Sequence, residues 1–355
     1  MTSSTMSRYD IHCFCTFDIL DRSGGLSKAL VDVQRRYHCF RVEHDPAMLP
    51  DMRVIIGGFE PDLTGCTRLD DVWWVKQGYL CHSGEQYKLG ARWAFDVSGL
   101  DGGMIEVRIA ANWLGRPFIT GKIMDAFIFY LLQQRGCSLL HASAVAGDGE
   151  AFVFAARGGG GKTTLALAAA FQNGMAFMGD NFVILKDGIV YSYLSDLNMF
   201  GYNLHPRVWE NLTAFERTRF RLWALVHRLT LGYIKVFSAV SPLRFLPWAC
   251  DSAQLKKLNL MRTSDGYSCA PLLREDLISC MTSNMKLEFF SFVRHAAAYA
   301  CRFPESALAT LWETYPQTLA ANLPEEAALQ AITVPERITD EVKVQALAAG
   351  TGEAA

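Results

Sequence analysis

The chain has 355 residues, half of them hydrophobic, enough for two domains, or one large domain with additions, around a substantial core. Its 34 basic and 36 acidic residues leave a net charge of −2, so it lacks the basic footprint of a nucleic-acid binder. Ten cysteines are scattered without a C-x-x-C pair, which leaves a zinc site unsupported and suits free thiols in a reducing cytoplasm.

The first ten residues are polar and carry no apolar signal core. No apolar run reaches the roughly 20 residues of a membrane span, so a cytoplasmic protein without a transmembrane segment is expected. Residues 10–20 read as a strand whose alternation puts Cys13 and Cys15 on one face as buried thiols. Residues 26–37 have helical spacing through Leu26, Leu30, Val31 and Val33. Short strands are then predicted at 39–43, 53–56, 73–75, 77–81, 86–89, 93–97 and 104–110, punctuated by Gly and Asp. This is a mainly β domain over residues 1–115. Its aromatics Trp73, Trp74, Tyr79, Tyr87 and Trp93 suit core and strand pairs better than a binding face.

A helix is predicted over 118–135, stopped by Gly136, and strands over 138–146 and 150–154. Next comes Ala156-Arg157-Gly158-Gly159-Gly160-Gly161-Lys162-Thr163-Thr164, then an Ala- and Leu-rich helix to Phe171. Strand, glycine loop and helix are the context a phosphate-binding loop needs. The glycines let backbone N–H groups curl around an anion, and the helix start adds its own unpaired N–H groups. Lys162 would reach the outer phosphates and the Thr163 hydroxyl would sit on Mg²⁺. Ala156 stands where the usual G-x-x-x-x-G-K-[ST] pattern begins with Gly.

Strand 175–178 ends in Gly179-Asp180-Asn181, where a carboxylate could serve as turn residue, magnesium partner or base. A hairpin follows, with Lys186-Asp187-Gly188 as its turn. Residues 207–238 read as one basic, amphipathic helical stretch with interleaved Phe and Trp, suited to packing on the sheet, to an acidic partner or to a membrane surface. Residues 237–250 look irregular. Residues 255–261 read as a strand ending at Arg262, and 274–292 and 293–315 as helices. From 316 the chain turns Ala-, Glu- and Pro-rich and reads as a loosely packed tail.

Leu140-His141-Ala142-Ser143-Ala144-Val145, the glycine loop and Asp180-Asn181 together resemble the HPr kinase/phosphorylase superfamily, most closely its HPr-kinase-like members of biosynthetic gene clusters. The likeness covers residues 137–191. It implies an α/β fold with a P-loop nucleotide-binding core over 116–315, preceded by the mainly β domain. It also implies an ATP- and Mg²⁺-dependent kinase that phosphorylates a hydroxyl, in family members a serine of a peptide or protein. Residues 157–164 would hold the nucleotide, Thr163 and Asp180 the metal, and Asp180, Asn181 and His141 would carry the chemistry. HPr kinases assemble as hexamers, so a homo-oligomer is a further implication. The family's second acid, the base, is Asn181 here, and an amide cannot take a proton from a hydroxyl. A nucleotide-binding regulator or assembly factor without transfer activity is therefore the alternative. An N-K-x-D guanine motif is absent, so GTP specificity has no support.

Overall fold

The computed structural model describes residues 6–22, 28–86, 90–200, 204–231, 233, 237–246, 249–335 and 338–352. The chain forms two compact units, one of Met1–Leu139 with Thr282–Asn322, the other of Leu140–Met281 with Leu323–Ala355.

The first unit carries β1 (Met6–Ile11), β2 (Cys15–Asp21), α1 (Lys28–Arg36), β3 (Arg41–Val42), β4 (Met52–Ile56), β5 (Thr67–Arg68), β6 (Trp73–Lys76), β7 (Tyr79–Gln86), β8 (Arg92–Ser98), β9 (Ile105–Ala111) and α2 (Asp125–Gln134). Its sheet runs β3-β1-β2-β4-β9-β8-β7-β6-β5. The β2–β4 and β4–β9 pairs are parallel and the others antiparallel. The segment expected as one strand over 10–20 is a hairpin, because His12 and Cys13 adopt φ of 51° and 60°. Cys13 therefore lies exposed in the turn and only Cys15 is buried. Trp73, Tyr79 and Trp93 are core residues, as expected; Tyr87 lies outside the described residues. The helix predicted over 118–135 opens with a π-type turn at Thr120–Met124 before α2, and Gly136 ends it at φ 71°.

Placing the domain boundary at 115 needs correction. Phe127 of α2 packs edge-on against Phe95 of β8 and against Phe292 of α7 (Phe290–Ala300), which binds α2 and α7 to the first unit. α8 (Leu311–Asn322) joins them through Tyr315, whose ring meets Phe129 and whose hydroxyl donates to Leu139 O at 2.9 Å. α8 also runs through Pro316, where the tail was expected to begin.

After β10 (Ser138–Leu140), the second unit follows with β11 (Ala142–Gly147), β12 (Glu150–Ala155), α3 (Lys162–Gln172), β13 (Ala176–Gly179), β14 (Val183–Lys186) and β15 (Ile189–Tyr191). Then come β16 (Leu197–Phe200), α4 (Pro206–Glu210), α5 (Ala214–Leu229), β17 (Phe237–Val240), β18 (Ser252–Ser264), β19 (Ser268–Pro271), α6 (Arg274–Glu288, of which the residues from Thr282 belong to the first unit), β20 (Ala328–Pro335) and α9 (Asp340–Thr351). The main sheet is mixed. β18 lies parallel to β12 and β20, while β11 pairs antiparallel with both β12 and β13. The stretch expected as one helix over 207–238 breaks between α4 and α5. There Thr213 and Glu216 form a reciprocal capping box that starts α5 afresh.

The loose tail expected over 316–355 is not loose where the structure describes it. β20 pairs along Lys257–Ser264, and Ala346 and Leu347 of α9 are buried with Phe154, Leu165 and Ile332. A Cβ on Gly350 would lie 2.5 Å from Phe154 Cε1, so the small residues of α9 are what let it approach the sheet. Lys257 and Gln330 donate to Ala349 O at 2.8 and 2.7 Å, and Asn259 donates to Gly350 O at 3.2 Å. These donors satisfy carbonyls that a helix end leaves unpaired.

Candidate functional site

The glycine loop leaves the sheet after Ala155 and Ala156, both buried, and closes through Gly160 N donating to Arg157 O at 3.0 Å. Gly159 and Gly161 have φ of 88° and 84°, the left-handed region that other residues enter at a cost. A Cβ on Gly160 would fall 2.7 Å from Ala156 Cβ, and one on Gly161 2.5 Å from Ile338 Cδ1. On Gly158 and Gly159 a Cβ would meet nothing within 4 Å, so that side of the loop opens outward. Arg157 is exposed beside it, and Thr164 is half-buried in the first turn of α3. The helix starts at Lys162 with Gly161 as its N-cap and no side-chain cap, leaving its first N–H groups and positive dipole end facing the loop.

Lys162 is buried, with Nζ 2.9 Å from His141 Nε2 and 3.5 Å from Ala156 O. The predicted strand over 138–146 bends at His141, between β10 and β11. Burial, and then the Lys162 charge, lower the His141 pKa to about 3. The ring is thus neutral near pH 7. Its Nε2 lone pair accepts from the ammonium, which puts the ring proton on Nδ1.

Asp180 enters from the end of β13 and is 3% exposed. A Cβ on Gly179 would lie 2.7 Å from Phe182 O and 3.0 Å from Tyr193 O, so glycine is required there. Asn181 turns the chain at φ 71°, a conformation Asn tolerates better than most residues. The tight turn points the Asp180 carboxylate inward, where Oδ1 accepts from Thr163 Oγ1 at 2.8 Å and from the Ser143 hydroxyl. A Thr163 hydroxyl that donates its proton to Asp180 keeps its lone pairs for a cation.

His141, Lys162, Thr163 and Asp180 are thus joined to the glycine loop by direct bonds, while Asn181 shapes the turn that presents Asp180. Ser143 was missed from sequence. It lies two residues after His141, but the bend at His141 breaks the strand period between them, and a strand serine carries no signal of its own. Arg262, exposed on β18, donates to Cys280 Sγ of α6 at 3.8 Å. Among the described residues, no group of three or more His, Cys, Asp or Glu side chains could hold a metal. Thr163 and Asp180 offer hard oxygens only, the donor type that Mg²⁺ accepts when phosphates and water complete its shell. No helix of the described residues is long and apolar enough to cross a membrane. No protein-family model matches the chain, and no curated protein sequence matches it either.

Proposed function

We propose that the protein is an ATP- and Mg²⁺-dependent kinase that transfers the γ-phosphate to a serine hydroxyl of a peptide or protein. The observation that carries this reading is the Ser143–Asp180–Thr163 hydrogen-bonded chain beside the glycine loop, with Lys162 at the loop's end. The loop amides and Lys162 are suited to the β- and γ-phosphates, since they converge where α3 begins. A magnesium ion on Thr163 and Asp180 would neutralise phosphate charge. Asp180 would take the acceptor's proton as the acceptor oxygen bonds to phosphorus and the bridging oxygen of ATP departs. Ser143 fixes the orientation of that carboxylate, and His141, being neutral, holds the Lys162 ammonium without competing for the anion.

Asn181 favours a second reading, a nucleotide-binding regulator or assembly factor without transfer activity, because an amide stands where the related kinases carry their base. Incubation with γ-labelled ATP, Mg²⁺ and the peptides and proteins encoded beside this gene separates the two. Label on one acceptor, absent with Lys162→Ala, supports the kinase. Bound ATP with no label on any acceptor supports the regulator. Asn181→Asp adds a second discriminant: the kinase reading expects faster transfer, and a slower or unchanged rate makes the amide a working part of the site.

A further inference from the structure

The basic helix α5 carries an exposed face that the proposed nucleotide chemistry does not use. Its one fully buried side chain among the described residues is Phe220, and its outward face is apolar. Phe215 is 75% exposed and Leu229 74%, with Leu222 and Leu225 half exposed between them. At about 100° per residue these four fall within an arc of roughly 80°, centred nearly opposite Phe220. Leu231 and Tyr233, just past the helix, are also exposed, at 96% and 85%.

Arginines flank the stripe on both sides. Arg221 and Arg228 lie along one edge and Arg219 along the other, by the same helical spacing. Arg221 is held there with its guanidinium 5.4 Å from the centre of the Trp209 ring. The helix has a single acid, Glu216, and Arg244 takes its carboxylate at 2.6 Å. An exposed apolar stripe edged by unneutralised arginines is the pattern of a helix lying in a lipid interface. The aliphatic side chains enter the acyl boundary and the guanidinium groups reach lipid phosphates.

We infer that α5 docks the protein on the surface of an anionic membrane, lying in the plane of the interface without crossing it. Charge complementarity selects this occupant. A second copy would bring the same arginine rows against each other, whereas anionic headgroups meet positive charge on both edges of the stripe at once. The face is also one convex helix with its side chains outward, the shape that suits a planar boundary.

The test is co-sedimentation of the full chain with vesicles of phosphatidylcholine alone and of phosphatidylcholine with phosphatidylglycerol. Two variants are run alongside, Leu222→Asp/Leu229→Asp and Arg219→Gln/Arg221→Gln/Arg228→Gln. Unchanged circular dichroism and unchanged melting show that both are folded; Leu222, Leu229, Arg221 and Arg228 are exposed and Arg219 is half-buried, so both should pass. The wild type is expected to sediment with the anionic vesicles and much less with the neutral ones. The triple arginine variant should bind about a hundredfold more weakly, and the double aspartate variant should lose binding. Failure to bind anionic vesicles, or equal binding by both variants, overturns the inference. So does self-association in the absence of lipid that the aspartates abolish, which would make the stripe a dimer face. So does binding of an acidic protein that depends on the stripe while vesicles are ignored.

Discussion

Buried histidines occur in both units, and they differ in what they face. In the first unit the His82 and His295 rings lie 5.3 Å apart, with Trp73 and Phe95 around them. Nδ1 of each meets no hydrogen-bond partner among the described residues. In the second unit His141 faces the Lys162 ammonium at the end of a glycine loop. Burial is the first cause of a lowered pKa in all three: to about 4 for His82, about 3 for His141, and well down for His295. A displaced pKa therefore does not tell a site from a core. The bonded partner does: His82 and His295 lie among aromatic rings with the Arg294 charge acting on both, whereas His141 takes a hydrogen bond from a lysine ammonium beside open backbone N–H groups.

Among substitutions that leave nucleotide bound, the largest expected effect separates the two places by their readout. Asp180→Asn should slow transfer about 10³-fold while leaving nucleotide bound, checked by single-turnover labelling and equilibrium binding. Retained transfer would move the base elsewhere, with His141 next to be tested. His295→Ala should do the reverse. It removes a ring packed among Trp73, His82 and Phe95, so urea unfolding should show a loss of about 3 kcal/mol with transfer unchanged.

Acid sharpens the comparison next. Each of these histidines has a folded pKa below its unfolded value, so the unfolded chain binds more protons between the two. Stability therefore falls as pH drops from about 6.5 towards 4 for His82 and towards 3 for His141, by about 1.4 kcal/mol per pH unit for each titrating group. Unfolding at pH 7.5, 6 and 5 should show this slope, and His82→Phe should flatten it. The smallest effect is that of Ser143→Ala. Loss of a hydrogen bond to a charged group should slow transfer about tenfold without changing nucleotide affinity, as expected of a residue that positions the Asp180 carboxylate.

The glycine loop, α3 and the turn at Asp180 were legible because each depends on local chemistry: positive-φ glycines, Ala and Leu in a helix, an acid closing a strand. Long-range pairing was not. Nothing around residues 328–335 announces that β20 lies parallel to the far half of β18. The tail was misread because Ala and Gly look like too little to bury, yet Gly350 is small because Phe154 leaves no room for a Cβ. The break between α4 and α5 could have been read from Thr213 and Glu216, which carry the spacing of a capping box. Ser143 was hidden by its own ordinariness, since a strand hydroxyl shows its use only when the carboxylate it meets is in place.

Calorimetric titration of ATP with Mg²⁺ tests most directly whether the loop at Lys162 is a nucleotide-phosphate site. It would be run on the wild type, Lys162→Ala and His295→Ala, each checked for native circular dichroism at the working temperature. Saturable binding is expected to the wild type and to His295→Ala, and none to Lys162→Ala. Binding that survives Lys162→Ala, or its absence from the wild type, would contradict a phosphate site at this loop.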